Sequence, residues 1–254
     1  MKNAAFTLIE LLVVIAIIAV LMAILMPALR LAKDQAYGII CVSNLKTLST
    51  GWYLYKDDND DKLVGGHPAR QSDAWVKPPQ GSGDVRQQEE NGIEAGLLWP
   101  YAKNFELYRC PSDRRKIQPP NFAFRSYSIA GGMNGEDKEW NGLAVERYSE
   151  VENPAMKLVF VAECDPREYN KGSWVVSHPP KNSWIDPLAI WHNKRSTLGW
   201  ADGHAEKHRW VDNSTMHWAE LAANGQTGVF NKTPDPGEGE DLRFMQKSYQ
   251  LKKK

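Results

Sequence analysis

Histidine and carboxylate side chains crowd into one stretch, residues 190–211, IWHNKRSTLGWADGHAEKHRWV. A strand beginning at His204 places His204, Glu206 and His208 on one face, because strand side chains alternate. With His192 or Asp202 alongside, that face offers the donors that zinc takes. The stronger reading needs no metal: a histidine beside Asp202-Gly203 caps a hairpin, and alternating polar residues form a solvated face. No metal and no cofactor is therefore expected. Nucleophile elbow, phosphate-binding glycine loop and HExxH helix are all missing, so catalysis is not expected either. Asp57-Asp58-Asn59-Asp60-Asp61 is rich in oxygen ligands but lacks the ligand spacing of an EF-hand loop. Acidic groups at a helix C-terminus oppose its dipole, so this run reads as a stop and a solvated turn. Cys41, Cys110 and Cys164 are an odd set, and at most one pair can form within the chain. Glu10 stands alone as a charge inside an apolar run, where a carboxylate at a helix centre costs roughly 2.5–3.5 kcal/mol and less near an end.

That apolar run, residues 6–26, FTLIELLVVIAIIAVLMAILM, is long enough to cross a bilayer as a helix. It reads as a membrane anchor or a secretory signal, and no convincing small-x-small cleavage site follows Pro27. Beyond Pro27, Leu29, Ala32, Ala36, Ile39/Ile40, Leu45, Leu48, Trp52 and Tyr55 recur mostly at three- and four-residue steps, the stripe of an amphipathic helix. One helix is expected from about Phe6 to about Lys56, roughly 75 Å long. Strands are expected at Phe124–Ile129, Lys157–Ala162, Trp174–Ser177 and Thr197–Ala201. Residues His204–Val211 return as the partner of the last across the Asp202-Gly203 turn. The fold class is α+β: a long N-terminal helix packed on an antiparallel sheet. Residues 57–230 form the globular part, and 231–254 read as a polar, mobile tail.

The 254 residues carry 31 basic and 31 acidic side chains, so nucleic acid is not an expected partner. Lys2 precedes the apolar run while Arg30 and Lys33 follow it, and this basic count does not orient the anchor. Ten tryptophans provide either core or sugar-stacking faces. The candidates for stacking are Trp140, Trp174, Trp184, Trp191, Trp200, Trp210 and Trp218.

Lys2-Asn3-Ala4-Ala5 followed by Phe6-Thr7-Leu8-Ile9-Glu10 resembles the class III signal of type IV pilins and type II secretion pseudopilins. Pro27 matches a proline that many pilins carry. The resemblance implies cleavage at Ala5–Phe6 by a prepilin peptidase, which removes residues 1–5, and methylation of the new amino terminus. It also implies that Glu10 pairs with the amino terminus of a neighbouring subunit. Ala5 departs from the family's usual glycine before the cut. His192, Asp202 and Gly203 match the H-X9-DG signature of a large group of pilin-like proteins of planctomycete type. Cys41-Val42-Ser43-Asn44-Leu45-Lys46, Cys110-Pro111-Ser112-Asp113 and Arg125-Ser126-Tyr127 resemble further segments of that group.

The implied function is a structural subunit of a secretion pseudopilus or pilus-like filament. It would be held in the bacterial inner membrane by a single pass, with the C-terminal domain in the periplasm or at the cell surface. Its partners would be the peptidase and other pilin subunits, like or unlike. An oxidising periplasm allows one disulfide. The expected pair is Cys41–Cys110, and three free buried thiols are the alternative. The rival reading is a membrane-anchored glycan- or ligand-binding module that does not polymerise.

Overall fold

The computed structural model describes residues 8–116, 123–226 and 228–252. Helix α1, Leu8–Asp58, runs unbroken through Pro27, Gly38 and Gly51. It ends in the acidic run, where Asp60 and Asp61 take positive φ and turn the chain back. Helix α2, Val85–Glu94, is capped by the Asp84 side chain, which accepts from the Gln87 backbone N–H. Strands β1 (Tyr127–Ile129), β2 (Leu158–Ala162), β3 (Arg195–Trp200) and β4 (Ala205–Arg209) form one antiparallel sheet in the order β1-β2-β3-β4. The short helix α3, Asp137–Trp140, lies between β1 and β2, and α4 (Asn213–Ala223) and α5 (Glu240–Ser248) follow the sheet. The expected α+β architecture is the one found.

Register explains how the sheet is covered. Val161 pairs with Leu198 and Phe160 with Gly199, and Leu198 pairs in turn with Glu206. Side chains alternate along β3. Gly199 faces α1, where an added Cβ would lie 2.4 Å from Ser49 Oγ. Trp200 faces the other way, against Phe244 of α5. β2 is consequently buried along its whole length. The α1 face that meets the sheet carries Cys41, Leu45, Leu48, Trp52 and Tyr55, all buried at alternating four- and three-residue steps. The second face is a tryptophan layer, with Trp184 against Trp174, Trp210 and Trp218.

Three expectations change. The buried stripe of α1 begins at Gly38 rather than at Leu29, because only from there does the helix reach the globular part; Leu29, Ile39 and Ile40 are exposed. Trp174–Ser177 forms no ladder: Trp174 bridges Ala130 while Val176 bridges Trp184, so neighbouring residues pair with different segments. The stretch 231–254, expected as a mobile tail, instead carries α5, whose Leu242 and Met245 are fully buried, with Tyr249 just beyond. Two aspartates dock it. Asp241 accepts from the backbone N–H groups of Val211 and Asp212, and Asp212 accepts from those of Gly239 and Asp241. The starts of α4 and α5 are thereby tied to one another.

Candidate functional site

Two places in the molecule combine unusual chemistry with unusual exposure or burial. The first is the head of α1. Between Leu8 and Met26, fifteen large apolar side chains are exposed. Burying such side chains is worth about 1.5–3 kcal/mol each, on the order of tens of kcal/mol together. That exceeds the cost of one carboxylate near a helix end by an order of magnitude, so Glu10 does not prevent insertion into lipid. Glu10 lies in the first turn of α1, the end of a helix that favours negative charge. Ala5 and Phe6, the expected cleavage site, lie outside the described residues. α1 is long and apolar enough to cross a membrane, which is consistent with a single-pass anchor.

The second is a buried knot of sulfur and imidazole. Cys41, Cys110 and His192 come from α1, the loop after Leu107 and the turn before β3, and their ligand atoms all lie within 4.8 Å of one another. Cys110 Sγ is 3.2 Å from His192 Nε2. Each residue is held from a different side. Asn44, one turn beyond Cys41, donates to the carbonyls of Glu106 (2.9 Å) and Arg109 (3.1 Å) and so ties α1 to the backbone leading into Cys110. The Cys110 N–H donates to Ser126 Oγ, whose hydroxyl donates to Asp113. Asp113 also pairs with Arg115, and both are almost wholly buried. His192 stands before two residues of positive φ, Asn193 and Lys194, which turn the chain into β3. Its ring packs against Gly38 of α1.

Electrostatics divides the two thiols. Cys41 is held down to about 5, first by a hydrogen bond from the Cys110 thiol, against burial, and then by His192 and Tyr127. Cys110 is pushed far up by burial and by Cys41. The pair therefore favours a Cys41 thiolate facing a Cys110 thiol. Cys41 and Cys110, the expected disulfide pair, meet here as free thiols, and Cys164 is a separate buried thiol. Two sulfurs and one imidazole nitrogen are the donor set from which a metal site can be built.

The H-X9-DG residues do not converge. His192 and the Asp202-Gly203 turn stand at opposite ends of β3, which spans about 20 Å. The turn closes the β3–β4 hairpin: Gly203 has φ 92°, its N–H donates to the Trp200 carbonyl, and Asp202 accepts from the His204 N–H. His204 stacks on Trp200 and His208 on Phe244. The polar face of β4 is thus a hairpin cap and an aromatic contact. Six of the seven tryptophans proposed for sugar stacking are buried, because they pack into the hydrophobic core. Trp140 is exposed. It borders a cavity of about 430 Å³ lined by Glu136, Glu163, Asp186 and Arg167. Burial and Asp165 push Glu163 up to about 7, and burial and Glu163 push Asp186 well above the ordinary range.

Spacing did not reveal the Cys41–Cys110–His192 knot, since its members are 69 and 82 residues apart. The signal that was available is that all three open segments of the family resemblance.

The family model for the prokaryotic N-terminal methylation motif matches residues 1–26. No curated protein and no solved structure matches the chain. The motif takes in the start of α1, Leu8 to Met26, and together with the helix-on-sheet architecture it supports a type IV pilin-like or pseudopilin-like precursor.

Proposed function

We propose that this protein is a structural subunit of a type II secretion pseudopilus or type IV pilus-like filament. The observation that carries the proposal is the methylation motif at the head of a 51-residue helix that is apolar on every side from Leu11 to Met26. A helix of that kind needs lipid around it before assembly and other helices around it afterwards. The precursor is cut at Ala5–Phe6 by a prepilin peptidase, methylated at Phe6, and held in the inner membrane with the sheet domain outside. Glu10 pairs with the amino terminus of a neighbouring subunit and sets the register. The work is mechanical, and no catalytic step is assigned to the chain. Kinship with the H-X9-DG group rests on the sequence resemblance and is part of this proposal.

The test is the intact mass and N-terminal sequence of the protein recovered from native membranes. A chain beginning at N-methyl-Phe6 supports the proposal. Retention of Met1 favours an uncleaved membrane anchor, and a start beyond Pro27 overturns the filament reading. In the same cells, Glu10→Val is expected to insert normally and fail to enter filaments. Assembly at the level of the unsubstituted protein would remove that role from Glu10.

A further inference from the structure

We propose that Cys41, Cys110 and His192 form a binding site for a thiophilic divalent cation of the zinc class, which staples α1 to the sheet domain. The proposal is independent of the filament reading. Its first support is geometry: three ligand atoms from three distant segments lie within 4.8 Å of one another, at full or near-full burial. A tetrahedral zinc with bonds of about 2.0–2.3 Å to nitrogen and sulfur requires donors separated by about 3.5–3.8 Å. The Cys110 Sγ to His192 Nε2 distance of 3.2 Å is close to that span. Its second support is chemistry. Two sulfurs and an imidazole select zinc-class ions over calcium or magnesium, which take oxygen.

The surroundings supply further support. His192 Nδ1 is buried without a hydrogen-bond partner among the described residues, and the buried Tyr127 hydroxyl faces the Cys41 sulfur. The Tyr127 hydroxyl is a polar group at hand for an outer shell around a bound ion. A cavity of about 210 Å³, lined by Asp34, Gln35, Arg114 and Lys207, reaches His192 and gives a path from solvent. Three protein donors leave a fourth position for water or an anion, and the basic rim favours an anion there. A metal ion competes with protons for sulfur and imidazole ligands, so affinity falls as pH falls. The Asn44 bonds to the Glu106 and Arg109 carbonyls hold two of the ligand segments together before any ion arrives.

The test uses the full chain in detergent, kept reduced, stripped with a chelator and titrated with Co²⁺ alone and then with Zn²⁺. The expected result is one Co²⁺ per chain with a thiolate-to-cobalt charge-transfer band, displaced by Zn²⁺, and a Tm raised by either ion. Cys110→Ser and His192→Ala should each weaken Co²⁺ binding by more than the roughly 10–100-fold typical of losing an outer-shell partner. Cys164→Ser should bind as the unsubstituted chain does. Should a variant fail to fold, the spectrum of the unsubstituted chain still decides. Absence of the band and of stoichiometric metal in the reduced protein overturns the proposal. So does a band that survives His192→Ala unchanged. A native protein lighter by two hydrogens, carrying a Cys41–Cys110 disulfide and binding no cation after reduction, also overturns it and makes the same knot a covalent staple.

Discussion

Asn44 shows how much one side chain can hold together. It is buried on α1, and its amide nitrogen donates to two carbonyls of the loop that carries Cys110. Removing the donor leaves two partly buried carbonyls without their partner, and a buried unsatisfied group costs about 1–3 kcal/mol. Asn44→Ala should therefore lower unfolding stability by that amount, measured by urea denaturation. It should also speed alkylation of Cys110 by a thiol reagent, because the loop is no longer fixed to α1. A value near zero would mean that water replaces both bonds. The sequence marked Asn44 only as part of a motif; its two acceptors lie 62 and 65 residues away.

At the scale of elements, the C-terminal segment is docked by contacts that a single substitution can disturb. Gly132 lies directly under it: an added Cβ would come within 1.8 Å of the Gln250 carbonyl oxygen. The neighbouring contacts are specific. The Tyr249 hydroxyl donates to Asp137 at 2.5 Å, and Lys157 donates to the carbonyls of Lys247 and Tyr249. Gly132→Ala must push the segment away, and overpacking of this kind costs about 1–3 kcal/mol. Faster amide exchange across residues 240–252 with little change in β2 and β3 is the expected readout. Unchanged exchange would mean that the segment is not seated there. The helical spacing of Leu242, Met245 and Tyr249 was readable, but Gly, Glu and Asp around it suggested a solvated tail. The tryptophans that this segment meets, Trp200 and Trp210 against Phe244 and Trp174 against Tyr249, are brought together only once the sheet has formed.

For the molecule as a whole, buried carboxylates govern how stability varies with pH. Glu163 is raised by burial and Asp165 from 4.5 to about 7. A raised acid contributes stability that is fully present below the unfolded value and is lost as pH rises through the folded one. Asp186 is raised also and acts in the same direction. Burial opposes ionisation of Asp137, but hydrogen bonds from His178 and Tyr249 outweigh it and hold this acid below 3.8. Its contribution is lost only as pH falls through that lower range. The lowered Cys41 thiol acts the other way, its contribution being lost as pH falls towards about 5, so with Cys41→Ser removing that opposition Tm should decline as pH rises from 4.5 towards about 7. Glu163→Gln should flatten that decline, and a decline of unchanged slope would assign it to Asp186 instead.

The sequence by itself determined the local and one-dimensional features. The apolar run, the helix to the acidic stop, the Asp202-Gly203 hairpin and the β2 and β3 strands are written in periodicity and turn chemistry, which act between near neighbours. Tertiary structure alone decided where along α1 the buried stripe begins, because that depends on where the helix meets the sheet. It also decided that Trp174 and Trp184 join a core rather than a binding face. The meeting of Cys41, Cys110 and His192 was decided there as well, since contacts between segments 69 or more residues apart have no periodic trace in the chain. They arise when α1, the Cys110 loop and the turn before β3 pack around the same buried space.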